Sequence, residues 1–211
     1  MTPKKLLIMG FGGHARSVAD VALACGYTQL LFFDEDAQSG ENFLGHPVLS
    51  SLHELDVLRC DAFAASGNAR MRQQQCLALE NAGLSPVSLI APSASIGVGC
   101  IISPGSFVGH QAHVGPMAMV GKFCIINTGA VVEHESSVGD YSHVSVNATI
   151  AGRSHLGASS MLGAGAVIID RVTVGDDVII GAGAVVVSPI SYPGIYIGVP
   201  ARRVNNGAAL N

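Results

Sequence analysis

The sequence contains no tryptophan, and aromatic residues fill only 5% of its 211 positions. A core built around large rings is therefore excluded, and packing must rest on aliphatic and small side chains. Charged residues are sparse at 12%, and the formal net charge is −4. That balance offers no basic surface and argues against nucleic acid as a partner. No apolar run approaches the ~20 residues of a membrane span. The segment Leu6–Met9 after Lys4 and Lys5 is too short for a secretory signal. Five cysteines fall at irregular spacing with no Cys-x-x-Cys pair, which implies no disulfide framework. Cys100 and Cys124 read as packing residues of a cytoplasmic protein in a reducing compartment.

What is abundant is periodicity. From Ile90 to Val186 every sixth residue is a branched aliphatic, through seventeen unbroken hexapeptides. Four residues after each comes a mostly small one, such as Ala112, Cys124, Ser136 or Ala148. Glycine often follows the aliphatic, as at Gly109, Gly115 and Gly139. A period of six suits neither a 3.6-residue helix nor a hairpin. It suits a parallel β-helix in which each hexapeptide is one short strand plus a corner. The small residue, Cys100 and Cys124 included, fits inside the corner, and glycine relaxes the turn. No long loop interrupts the repeats, so a site must be built from face and corner residues or from another subunit or domain.

Residues 1 to about 85 lack this period. Lys5–Met9 reads as a buried strand, followed by a Gly-rich turn into a helix that runs through about Cys25. Leu30–Phe33 is a second strand ending in Asp34, and Asp61–Ala65 a third. Asn68 is placed to cap a helix that runs through Ala82. This βαβαβ pattern predicts a small α/β, Rossmann-like domain. Gly10-x-Gly12-x-x-Ala15 satisfies the dinucleotide fingerprint, in which the helix start offers N–H groups to a phosphate. Asp34 is placed to hold a ribose hydroxyl. The same glycines fit a purely structural turn equally well. His14 at the mouth of the turn favours a ligand site, and the short domain favours a nucleotide-sugar over NAD. The expected organisation is residues 1–85, a solenoid over 86–190, and a C-terminal segment over 191–211.

One stretch of the solenoid departs from the small-residue pattern, Asn127-Thr128-Gly129-Ala130-Val131-Val132-Glu133-His134-Glu135. His134 lies two residues after Val132 and so faces outward. A carboxylate beside an imidazole fixes its tautomer and stabilises the imidazolium formed on proton transfer. Glu135 is placed to hold one ring nitrogen while the other takes a proton. A solvated histidine on a polar corner accounts for the same residues.

This stretch, followed by Gly-Asp-Tyr-Ser-His-Val-Ser-Val at 139–146, resembles the sialic-acid O-acetyltransferase type of bacterial sugar acetyltransferases. Within that group the chain is most similar to N-acetyltransferases of nucleotide-linked 4-amino-4,6-dideoxy sugars. The Gly-Phe-Gly-Gly-His opening, the Gly67-Asn68 turn and the Gly198-Val199-Pro200-Ala201-Arg202 ending share the resemblance. It implies a left-handed β-helix with three hexapeptides per coil. Residues 18 apart then stack ~4.8 Å from one another, giving a prism of just under six coils, roughly 27 Å tall. It implies acetyl-CoA as cosubstrate, a UDP- or GDP-linked amino sugar as acceptor, no metal, and a homotrimer with the site completed by a neighbouring subunit. By the same resemblance His134 is the general base and Glu135 its activating partner. His143 contacts acetyl-CoA near the thioester, and Ala164 and Ala182 line the pantetheine. Gly12, Gly13 and His14 hold the nucleotide-sugar, with Asp34 and Gly67 nearby, and Asn127 touches the sugar.

Three other readings compete. Transfer to a sugar or sialic acid hydroxyl keeps the class and changes the acceptor. His110, His113 and His155 invite comparison with the γ-class carbonic anhydrases, zinc enzymes with the same prism. His110 and His134 are 24 apart, however, and so fall on different faces of one chain. A noncatalytic sugar-nucleotide-binding scaffold is the third. His46 and His53 are expected in loop or helix-start sequence and carry no signal.

Overall fold

The computed structural model describes residues 4–51 and 60–204, which form two compact units divided between Pro92 and Ser93. The first unit comprises β1 (Lys5–Met9), α1 (Gly13–Ala24), β2 (Gln29–Phe33), β3 (Asn42–Phe43), β4 (His46–Leu49), β5 (Asp61–Ala64) and α2 (Ala69–Asn81). Its sheet has the order β3-β4-β2-β1-β5. All pairs are parallel except β3 with β4. Strand β1 lies between β2 and β5, so Leu6, Leu7 and Ile8 are completely buried. This is the expected α/β arrangement. Asn68 caps α2 by accepting the Met71 N–H at 3.1 Å. Cys76, on the buried side of α2, is an inert packing residue, because burial pushes its thiol up to about 11.

Two short strands, β3 and β4, were not foreseen. Residues 35–49 carry no alternating apolar run. His46 consequently needs correction. It opens β4, and its Nδ1 accepts the Leu30 N–H at 3.3 Å. His53 and the segment 205–211 lie outside the described residues.

The second unit is the parallel β-solenoid. Strands of the first face run Ser95–Ile96, His113–Val114, Val131–Val132, Thr149–Ile150, Val167–Ile168 and Val185–Val186. The second face runs Ile101–Ile102, Met119–Val120, Ser137–Val138, His155–Leu156 and Thr173–Val174. The third includes Phe107–Val108, Ile125–Ile126, His143–Val144, Met161–Leu162, Val178–Ile180 and Gly194–Ile197. Register is 18 residues throughout the hexapeptides, as in Val132 beside Ile150. The repeated aliphatics from Val108 to Val186 are buried, as expected. Cys124 is buried in its corner, whereas Cys100, in the first coil, is only half-buried.

The role expected of the glycines is overturned. The residue that relaxes each turn is the third after the aliphatic, not the first. From Gly99 to Gly183 every such residue has φ between +54° and +75°, including Met117, Phe123, Glu135, Tyr141 and Arg153. That conformation costs an L-residue about 1–2 kcal/mol. From Met117 to Gly183 each corner offsets it with a backbone bond to the coil before, as in Glu135 N–H to Pro116 C=O at 3.0 Å. Glycine directly after the aliphatic answers a different need, close approach. A Cβ on Gly115 would lie 2.7 Å from the His134 nitrogen one coil on.

Small inward residues also divide by edge. Ala112, Ala130, Ala148, Ala166 and Ala184 occupy the edge between the third and first faces. On the other two edges serine recurs, at Ser106, Ser136, Ser142, Ser154 and Ser160, and its hydroxyl bridges coils. Ser142 Oγ donates to Gly157 C=O at 2.6 Å and accepts the Ser160 N–H at 3.0 Å. Ser142→Ala strands both buried backbone groups and is expected to cost about 1–3 kcal/mol. Chemical denaturation checks this against exposed Thr173→Ala, expected to change stability by less than about 0.5 kcal/mol.

Candidate active site

His134 and Glu135 occupy the edge between the first and second faces. The corner geometry places them: His134 follows half-buried Glu133, which itself follows the buried Val132, and Glu135 takes the left-handed conformation. The His134 side chain is 43% exposed. Its Nδ1 stands 3.2 Å from Glu135 Oε2. Its backbone N–H donates to Glu133 Oε2 at 3.1 Å, and its carbonyl accepts the Arg153 N–H at 2.9 Å. The pair can therefore hold a proton on Nδ1 and leave Nε2 to receive one.

Gly152 stacks one coil beyond His134. A methyl group there would lie 2.5 Å from His134 Nε2 and 2.6 Å from Cε1. The ring thus lies where the Gly152 side chain would be. Among the described residues Gly152 N–H makes no hydrogen bond to the protein. One coil further, Asp170 draws Arg153 to 3.3 Å and Arg171 to 3.6 Å. These exposed pairs add little stability but keep cationic side chains on the His134 edge.

The other expected residues lie elsewhere on the prism. Ala164 and Ala182 are exposed and stacked on the edge between the third and first faces. Asn127 and His143 belong to the third face, where Asn127 Nδ2 is 3.2 Å from His143 Nε2. An edge between two faces of a triangular prism is opposite the third face. One chain therefore brings His134 to Glu135 and Asn127 to His143, but not the two pairs together.

In the first unit Gly10 needs its φ of +102° for the turn after β1. Gly12 is the N-cap of α1 with no side-chain cap. Gly12, Gly13 and Gly67 have no atom within 4 Å of where a Cβ would stand, so their backbones are open to close approach. His14 lies half-buried in the first turn of α1. Asp34 accepts the Phe11 N–H at 3.0 Å and the Asp36 N–H at 3.1 Å, which shapes the loops after β1 and β2. It also lines a cavity of about 430 Å³ with Gly10, Glu35, Asp36, Met71, Gln74 and Gln75. Of the expected nucleotide-binding residues, Asp34 borders this cavity together with Gly10 of the fingerprint, whereas Gly12, Gly13, His14 and Gly67 are not among its lining. Gln75 accepts the Ser66 N–H at 2.9 Å.

Sequence reasoning missed Gly152, Gln74 and Gln75. The first was within reach, since it is 18 residues from His134. The glutamines lie on a helix face that carries no motif. Among the described residues no three His, Cys, Asp or Glu side chains gather as a metal site. His110 and His155 instead contact Ser93 Oγ at 2.7 Å and Ser137 Oγ at 2.8 Å. No described helix is long and apolar enough to cross a membrane.

Fold and site together define a hexapeptide-repeat acyltransferase with an α/β domain before its solenoid. The PglD N-terminal domain family matches residues 5–78, and the bacterial transferase hexapeptide family matches residues 153–188. No curated protein matches the sequence. The solved acetyltransferase domain of PglB from Neisseria gonorrhoeae FA1090 is 32% identical over 95% of this chain and 100% of that one, with a TM-score of 0.89. The same domain in complex with acetyl coenzyme A has a TM-score of 0.90 at 32% identity, over 96% of this chain and 100% of that one. A histidine-to-alanine mutant of GDP-perosamine N-acetyltransferase from Caulobacter crescentus, in complex with CoA and GDP-perosamine, is 33% identical. It covers 96% of this chain and 97% of that one, with a TM-score of 0.87. The chain belongs to this family of hexapeptide-repeat sugar acetyltransferases and is an enzyme of the acyltransferase class.

Proposed function

We propose that the chain transfers the acetyl group of acetyl-CoA to the 4-amino group of a nucleotide-linked 4-amino-4,6-dideoxy sugar. The observation that carries this reading is the His134–Glu135 pair, with Nδ1 held at 3.2 Å and a half-exposed ring at a solenoid edge. Relatives crystallised with acetyl coenzyme A, or with CoA and GDP-perosamine, support the two substrates.

Glu135 keeps the proton of His134 on Nδ1. His134 Nε2 accepts the proton that the sugar amine loses as its nitrogen attacks the thioester carbonyl. Gly152 N–H is the donor we assign to the oxyanion that forms, because that residue stacks against the His134 ring and its N–H has no acceptor among the described residues. Collapse breaks the carbon–sulfur bond, and His134 returns the proton to the departing CoA thiolate. No acyl-enzyme is required, and Cys124 is buried in its corner. Gly12, Gly13, His14, Asp34 and Gly67 serve the nucleotide-sugar in the first unit.

His134 lies on one edge while His143, Ala164 and Ala182 lie on other parts of the prism. We therefore assign the complete site to two copies of the chain in a homotrimer. One copy supplies His134 and Glu135, and its neighbour supplies His143 and the pantetheine edge.

The test is acetyl-CoA-dependent thiol release with UDP- and GDP-linked 4-amino-4,6-dideoxy sugars. Turnover with one of them, with an acetamido product by mass spectrometry, is expected. Turnover only with hydroxyl acceptors would replace this reading with O-acetylation.

A further inference from the structure

We propose that Asn127 is a positioning residue that holds His143 as a neutral imidazole carrying its proton on Nδ1. The argument needs only donors and acceptors. A backbone N–H can only donate, and Thr128 N–H lies 2.8 Å from Asn127 Oδ1. This orients the Asn127 amide, with oxygen toward Thr128 and nitrogen toward His143. The amide nitrogen can only donate, and it lies 3.2 Å from His143 Nε2. Nε2 must therefore present a lone pair, which puts the ring proton on Nδ1. An imidazolium, or the other tautomer, would set N–H against N–H.

The arrangement is particular to this position. Stacked with Asn127 on the third face are Gly109, Ser145, Gly163 and Gly181, none of which carries an amide. The contacts of His110 with Ser93 and of His155 with Ser137 do not fix a tautomer, because a hydroxyl both donates and accepts. Asn127 is thus spent on His143 and Thr128 rather than on the sugar. His143 has its Nε2 occupied and does not serve as a second base. Acid–base work falls to His134 alone. This last step rests on the acetyltransferase reading, whereas the tautomer does not.

The experiment has two arms. Two-bond proton–nitrogen correlation spectra of histidine-labelled protein at neutral pH are compared with those of His143→Gln to assign the ring. The Nδ1-protonated neutral pattern is expected in the wild type, with mixed tautomers in Asn127→Ala. In Asn127→Asp the carboxylate accepts, and the proton is expected on Nε2. An Nε2-protonated or cationic ring in the wild type would overturn the proposal whatever reaction the protein catalyses. In the kinetic arm, Asn127→Ala is expected to lower kcat/KM for acetyl-CoA about tenfold, and Asn127→Asp further, with KM for the nucleotide-sugar unchanged. A rise confined to the nucleotide-sugar KM, with the His143 pattern intact, would instead make Asn127 a sugar contact. Absence of turnover in the wild type refutes the acetyltransferase reading and leaves the spectroscopic result standing.

Discussion

His134→Ala is expected to lower kcat by about a hundred- to ten-thousand-fold, the range for loss of a positioned general base. Stability should change little, since the side chain stands half-exposed on a corner and only its backbone bonds to the next coil. KM values should move little, because the imidazole acts on a proton that leaves only as nitrogen attacks. Glu135→Gln should cost less, since the amide keeps a contact to Nδ1 but not the charge that stabilises the imidazolium. A sharper outcome concerns the assembly. His134→Ala and His143→Ala are each expected to be nearly inactive. Unfolded together and refolded, they should recover activity, because some sites would draw an intact His134 from one copy and an intact His143 from its neighbour. Thiol release by the mixture measures this. No recovery from demonstrably mixed oligomers would place both histidines in a site within one copy. That outcome would contradict their placement at an edge and on the face opposite it.

Gly152→Ala is expected to lower kcat roughly a hundredfold, the size of effect an ångström of misplacement produces. The new methyl would stand 2.5 Å from His134 Nε2, so ring or methyl must move. The obstacle is the far end of a side chain and not backbone, so the fold can absorb it by turning the imidazole away. The prediction is a protein of nearly normal stability with a misdirected base. Gly139→Ala makes the useful contrast. Its methyl would meet the Ala158 nitrogen at 2.5 Å and the Gly157 carbonyl carbon at 2.7 Å. Backbone cannot turn aside, and a stability loss of about 1–3 kcal/mol is expected. Kinetics on the Gly152→Ala, His134→Ala double variant separate the causes. If Gly152 acts through His134, the double variant is no slower than His134→Ala alone. If its N–H also meets the oxyanion and the methyl disturbs that donor, the double variant is slower still.

The solenoid was legible because its repeat is a chemical one. A buried aliphatic every six residues and a small residue four later repeat regardless of context, and the structure buries them from Val108 onward. The βαβ unit was legible from its apolar runs and from Asn68 ahead of α2. Strands β3 and β4 were not, because residues 35–49 offer no apolar run or alternation to read. The glycine rule was misread for a related reason. Sequence shows which residue is glycine, but not whether torsion or proximity demands it. Residues as bulky as Met117 and Tyr141 occupy the left-handed positions, so composition there gave no sign. In the candidate site, the His134–Glu135 contact follows from adjacency along the chain. The Asn127–His143 contact depends on a diagonal across two coils.

By itself, the sequence determined the architecture and the chemistry on offer. Side-chain volume at a six-residue period calls for a parallel solenoid, and an outward histidine beside a glutamate admits proton transfer. Only the tertiary structure decided which groups meet. Winding by 18 residues per coil put Gly152 against His134 and Asn127 against His143. The triangular section set those two pairs on opposite sides of one prism. Contacts between coils arise from register in three dimensions, and no local preference of the chain encodes them.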